Sequence, residues 1–155
     1  MNKQNDAADR TLTLERVLNA PIEIVWEAWT QPEHIAHWWG PGKMEVKIVD
    51  HEFKVGGRWK YIMAMPDGSE FVTEGVYSEI IELKKIVSSA DFKPMTEGVT
   101  LQALFEADGD KTKFTFSVIH PTVEYCKQQE KMGFYNGWGS VFGRLDSYLA
   151  TLVDE

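Results

Sequence analysis

The chain is poor in several things whose absence narrows its function. Among its 155 residues there is one cysteine, Cys126, so no intrachain disulfide can form; a reducing, cytoplasmic setting is the simplest expectation. Basic residues are in the minority, 16 Lys and Arg against 24 Asp and Glu for a formal net charge of −8. Nucleic acid and anionic membrane surfaces, both bound through clustered cations, are therefore not the expected partners. No apolar run approaches the roughly 20 residues that span a bilayer. The first nine residues are polar, lack the apolar core of a signal peptide, and read as a disordered tail ahead of a single domain over 10–155. A nucleophile elbow, a phosphate-cradling glycine loop and a dinucleotide fingerprint are all missing.

Large apolar side chains are what the chain has in quantity: six Trp, five Tyr, eight Phe and six Met. That many rings must share one interior or surround something held in it. Leu12, Leu14 and Leu18 alternate with polar partners and predict a first strand with Arg16 on the leucine face. Pro21 suits a first helical turn, and Ile22, Val25, Trp26 and Trp29 recur at helical spacing to about Thr30. Pro32 restarts a second short helix through Ile35, Trp38 and Trp39, stopped by Gly40-Pro41-Gly42. An antiparallel meander of about six strands follows: 43–55, the Gly56-Gly57 turn, a return strand that puts Trp59, Tyr61, Met63 and Met65 on one face, then 70–83, 84–92, 99–107 and 113–120. Phe114, Phe116, Val118 and His120 share a face of the last. Beyond Pro121 the period becomes 3.6, with Phe134, Trp138, Val141, Phe142, Leu145, Leu149 and Leu152 on one stripe. This predicts one long helix starting between Thr122 and Lys127. Four glycines in it (133, 137, 139 and 143) call for close packing, a local break or a movable segment, and Gly137 is the best placed for close approach. The element order predicts an α+β domain, a curved antiparallel sheet with the long helix along its concave face.

Candidate chemistry is sparse. Cys126 has His120 six residues away but no orienting carboxylate, so a surface or core thiol is expected rather than a nucleophile. His34 and His37 lie three apart on the second short helix without a third ligand, and solvent-facing or cap-bonding roles are favoured over metal. Asp50, His51 and Glu52 are neighbours on a strand; they point to opposite faces and cannot cluster without a bulge. Lys54-Val55-Gly56-Gly57-Arg58 reads as a hairpin turn rather than an anion nest. No metal or cofactor is expected. The inward-facing rings and thioethers of Trp59, Tyr61, Met63, Met65, Phe114, Phe116, Trp138 and Phe142 describe either a solid core or the wall of a small-molecule cavity. Thr73, Tyr61, Tyr77 and His120 are its candidate polar groups.

Several short stretches occurring together carry a resemblance. Val17-Leu18-Asn19-Ala20-Pro21, Val25-Trp26-Glu27-Ala28-Trp29-Thr30, Trp38-Trp39-Gly40-Pro41, Lys54-Val55-Gly56-Gly57-Arg58-Trp59, Asp67-Gly68, Gly75-Val76-Tyr77 and Gly137-Trp138 with Leu145 and Leu149 resemble domains related to the activator of heat-shock protein 90 ATPase. The resemblance covers about Thr13 to Leu152. It departs from the usual pattern at Lys54, where Arg is common, and at Glu52, where Asp is. It implies the helix-grip fold of the START-like, or Bet v 1-like (SRPBCC), superfamily, with a hydrophobic cavity between sheet and C-terminal helix, and it supplies no catalytic set. The expectation that follows is a non-catalytic binder of a small hydrophobic or aromatic ligand, lipid-like or polyketide-like. Its cavity would be lined by Trp59, Tyr61, Met63, Phe71, Thr73, Phe116, Trp138 and Phe142, with Trp38 and Trp39 at the entrance. The alternatives are a cyclase- or dehydratase-type enzyme using His120, Tyr61 or a buried carboxylate in the same cavity, and a chaperone-interaction module. Either a monomer or a homodimer is compatible with the sequence.

Overall fold

The computed structural model describes residues 9–39, 46–64, 67–93 and 96–153. The expected tail up to residue 8, the Gly40-Pro41-Gly42 stop and Met65 lie outside the described residues. Strand β1 (Thr11–Leu18) is followed by helices α1 (Ile22–Thr30) and α2 (Pro32–Trp38). The meander comprises β2 (Val46–His51), β3 (Arg58–Ala64), β4 (Glu70–Ile81), β5 (Lys85–Lys93), β6 (Thr96–Asp108) and β7 (Lys111–Ile119), and α3 (Val123–Lys131) and α4 (Phe134–Val153) complete the chain. All seven strands form one antiparallel, curved sheet in the order β1-β7-β6-β5-β4-β3-β2. The fold is the expected helix grip, with α4 packed across the inner face of the sheet. No described helix is long and apolar enough to cross a membrane.

Alternation decides which strand residues face inward. In β3, Trp59, Tyr61 and Met63 are buried between exposed or half-buried neighbours, and in β7 Phe114, Phe116 and Val118 are. From α4 come Phe134, Val141, Phe142, Leu145 and Leu149, the core stripe expected from the period. Arg16, on the inner face of β1, reaches Asp146 of α4 at 4.0 Å, and the same carboxylate accepts the Asn19 backbone N–H at 3.2 Å.

Three expectations are corrected. The C-terminal helix is two helices: Thr122 caps α3 by accepting the Tyr125 N–H at 3.0 Å, and the chain breaks after Met132 at Gly133, whose φ of +103° is open to glycine at little cost. Gly133 is thus the local break, not an interior helical residue. Gly137 has nothing within 4 Å of where a Cβ would stand, so it makes no close approach; the close approach is at Gly75 in β4, where a Cβ would lie 1.9 Å from the Ser89 carbonyl oxygen and 2.9 Å from Trp59 Nε1. Finally, β2 ends at His51 rather than at residue 55 and carries a bulge. Ile48 pairs with Tyr61 and Asp50 with Lys60, leaving Val49 as the extra residue.

Candidate functional site: an aromatic chamber

The bulge has a chemical consequence. A regular β2 would put Asp50 on the inner face with Ile48, but one extra residue reverses the alternation beyond it. His51 therefore pairs with inward-facing Trp59, while Asp50 sits exposed opposite Lys60. Asp50, His51 and Glu52 form no cluster, and no group of three or more His, Cys, Asp or Glu able to hold a metal lies among the described residues. Turned inward, the His51 ring makes two bonds. Nε2 lies 2.7 Å from the Thr30 carbonyl, which can only accept, so Nε2 carries the proton. In the neutral ring Nδ1 is then the acceptor for the Tyr61 hydroxyl, 2.8 Å away.

The His51 ring also lies 6.0 Å from the Tyr61 ring and 6.5 Å from the Tyr77 ring between centroids, so a histidine and two tyrosines cluster across β2, β3 and β4. Burial dominates their acidities. It holds His51 below its ordinary value, against the opposing pull of the Thr30 bond and Glu33. It lifts Tyr61 far above the tyrosine range, and it pushes Tyr77 up to about 12. All three groups are neutral near pH 7.

The rings of Tyr61 and Tyr77 form part of the wall of a chamber of about 40 Å³ lined by buried side chains. Trp29 enters it from α1, Ile35 and Trp38 from α2, and Trp39 from just beyond α2. The sheet supplies Trp59 from β3, Ile86 and Ser88 from β5, Leu101 and Ala103 from β6, and Phe116 from β7. Space remains because two inward positions among these bulky side chains are small. Ser88 pairs with Tyr77 and Leu101, and Ala103 stands between Ile86 and Phe116. Gly75 completes the arrangement by letting the Trp59 indole lie against β4 and donate to Ser88 Oγ at 2.7 Å.

Of the residues expected to line a cavity, Trp59, Tyr61 and Phe116 are on the chamber wall. Trp38 and Trp39, expected at an entrance, are on the wall as well and are buried to 0% and 5% exposure. Thr73 is fully buried behind it and accepts the Trp39 indole N–H at 3.1 Å. Met63 is buried opposite half-buried Phe71, one inward position along β3 from Tyr61. Trp138 and Phe142, on α4, pack on Phe116 at ring separations of 4.6 and 5.0 Å and are not on the wall of this chamber. This chamber lies between the sheet and the two short helices; the expectation put a cavity between the sheet and the C-terminal helix.

The remaining candidates sit elsewhere. His120 is buried, with Nδ1 3.1 Å from the Arg10 carbonyl oxygen, away from the chamber wall. His34 bonds the Tyr148 hydroxyl at 2.6 Å, and His37 stacks on the same ring at 4.8 Å, joining α2 to α4. Cys126 is buried, and burial together with nearby Glu130 raises its thiol pKa. Sequence reasoning missed Trp29, His51 and the small wall residues Ser88 and Ala103. The helical period did place Trp29 on an apolar face, but the only sign of a hollow was small residues at inward strand positions.

A family model described as Activator of Hsp90 ATPase homolog 1-like protein matches residues 19–150. A solved protein from Nitrosomonas europaea is similar in structure, with a TM-score of 0.82 at 24% identity over 96% of this chain and 99% of that one. One from Mycobacterium smegmatis has a TM-score of 0.83 at 24% identity, covering 95% of each chain. An AHSA1-like protein from Aeromonas hydrophila has a TM-score of 0.73 at 21% identity, covering 94% of this chain and 95% of that one. At such identities the likeness speaks to fold alone. No curated protein matches the sequence significantly.

Proposed function

The chain belongs to the Activator of Hsp90 ATPase homolog 1-like family, and on that premise we propose that it is a non-catalytic binding protein whose guest is a small apolar or aromatic molecule taken into the aromatic chamber. The observation that carries this reading is the chamber itself, a space among buried side chains with four of the six tryptophans on its wall. Binding pockets for drug-sized ligands measure roughly 300–1,000 Å³. A chamber of about 40 Å³ holds a few heavy atoms at most, so a larger guest must displace rings of the wall. Trp38 and Trp39 are the natural movers, because they lie at the end of a seven-residue helix rather than within a strand ladder. A guest among the indoles will change their fluorescence and raise the melting temperature. The test is a graded series of small ketones, benzenes and naphthalenes, followed by both signals. Saturable binding by one of them supports the reading, and no response across the series overturns it.

A second reading draws on the His51–Tyr61 hydrogen bond with Tyr77 beside it, an oriented acid–base pair at the chamber edge that suits cyclase- or dehydratase-type chemistry. A bound guest recovered chemically unchanged after prolonged incubation counts against it. Conversion that His51→Gln abolishes supports it.

A further inference from the structure

The indole donors around the chamber are all satisfied except one. Trp38 Nε1 donates to the Ala28 carbonyl at 2.9 Å, Trp39 Nε1 to Thr73, and Trp59 Nε1 to Ser88. Trp29 Nε1 is buried with no acceptor, and it is the only buried side-chain polar atom in that condition among the described residues. Its residue is 9% exposed and lies on the chamber wall. Its ring packs among others, with Trp38 at 4.8 Å, Phe114 at 5.3 Å and Phe105 at 5.9 Å between centroids. A ring face is a weak acceptor and recovers only part of what an N–H loses on leaving water. Buried water is held by two to four polar partners, and here the three neighbouring indole N–H groups already have acceptors.

Resting on the binding reading above, we propose that the guest supplies the missing acceptor: the chamber selects neutral apolar molecules that carry one hydrogen-bond acceptor, a carbonyl above all, and Trp29 Nε1 donates to it. A carboxylate is disfavoured, because an anion would be desolvated with no cation on the wall to pair it. The selectivity has a direction. A hydrocarbon of the same shape gains the same apolar contacts and leaves the N–H as it is, so the ketone binds more tightly by the worth of one buried hydrogen bond, about tenfold.

The experiment compares cyclopentanone with methylenecyclopentane, which differ by oxygen for CH2. Binding to the wild-type chain is followed by intrinsic fluorescence and by the indole N–H signals in a ¹⁵N correlation spectrum, with the Trp29 signal assigned as the one lost in Trp29→Phe. The proposal expects about tenfold tighter binding of the ketone, a downfield displacement of the Trp29 N–H with the ketone only, and equal affinities in Trp29→Phe. If both compounds bind equally and the Trp29 signal responds alike, the acceptor proposal falls while the chamber remains a binding site. If neither compound nor any member of the wider series binds, the binding reading itself fails. The Trp29 signal is also assigned in the wild-type chain by through-bond correlation of its indole N–H to its own backbone, so the wild-type spectrum decides the matter even if Trp29→Phe does not fold.

Discussion

Ala103→Val tests the chamber from the inside. Ala103 is 3% exposed on β6, with Ile86 and Phe116 as its cross-strand partners, so its side chain faces straight into the hollow. At about 24 cal/mol per Å³ of cavity, a void of 40 Å³ costs about 1 kcal/mol. Two added methyl groups would give about 1.6 kcal/mol if fully buried without strain, and valine suits a strand. Part of that gain goes to imperfect fit in a packed aromatic wall. The expected net is a stabilisation of about 1 kcal/mol, which in a domain of this size raises the melting temperature by roughly 2–4 °C. The same substitution fills the space a guest needs, so the tightest ligand of the fluorescence series should lose at least about tenfold in affinity. Ala107→Val, on the exposed end of the same strand, controls for β-propensity and should leave binding unchanged. Thermal melts and fluorescence titrations of the three proteins suffice. An Ala103→Val protein that binds its guest as the wild type does would refute the location of the site, and one that melts several degrees lower would refute the claim that space is available there.

Three further outcomes follow from the packing. Gly75→Ala drives a methyl group into the Ser89 carbonyl at 1.9 Å and the Trp59 indole at 2.9 Å, and should cost about 2–4 kcal/mol by urea denaturation; a change within about 0.5 kcal/mol would contradict the close approach. His51 and His120 are both held below their ordinary value, chiefly by burial, so near pH 6 the unfolded chain binds more protons than the folded one. Stability should be flat above about pH 7, decline as pH falls below about 6.5, and level off beneath the folded pKa values; His51→Asn with His120→Asn should flatten that decline, and an unaltered slope would exclude them as its source. Cys126, buried and with its thiol pKa raised, should react with a disulfide reagent at pH 8 far more slowly than a free thiol and at full rate in urea, whereas fast labelling of the folded protein would contradict its burial.

Most of the fold is legible in the residue pattern because burial enforces it. Alternation in β3 and β7 and the 3.6 period of α4 each sort apolar from polar side chains on a face, and a slip of one residue would expose the set. What escapes is what periodicity does not encode. The bulge at Val49 is one such feature: nothing in Val46–His51 announces an extra residue, yet it decides whether Asp50 or His51 meets the core. The split of the C-terminal helix is another. Gly133 was visible, but its positive φ comes from the turn between α3 and α4, and one of four glycines cannot be picked out by composition. The chamber is the third. A hollow is the difference between the space that backbone elements enclose and the volume of the side chains that fill it, and that difference appears only when Ser88, Ala103 and Gly75 are seen to lie together. Trp138 and Phe142, expected to line a cavity, pack on Phe116 and are not on the wall of this chamber.

Two departures from good packing meet on the Trp29 side of this core: an unfilled space worth about 1 kcal/mol and a buried N–H without an acceptor, worth about 1–3 kcal/mol. Against a total stability of about 5–15 kcal/mol that is a considerable fraction. Each is removable by one apolar substitution, Ala103→Val for the space and Trp29→Phe for the donor, with neighbours that are rings or aliphatic side chains already. Had the two occurred far apart they would be ordinary imperfections, since natural domains are rarely at their stability optimum. Their occurrence on one wall is different, because the same event relieves both: a molecule with an apolar body and a single acceptor fills the space and satisfies the donor at once. A core shaped only for stability has no reason to group these costs, whereas a binding chamber has to, since the free energy left unsatisfied in the empty state is what the guest recovers on entering.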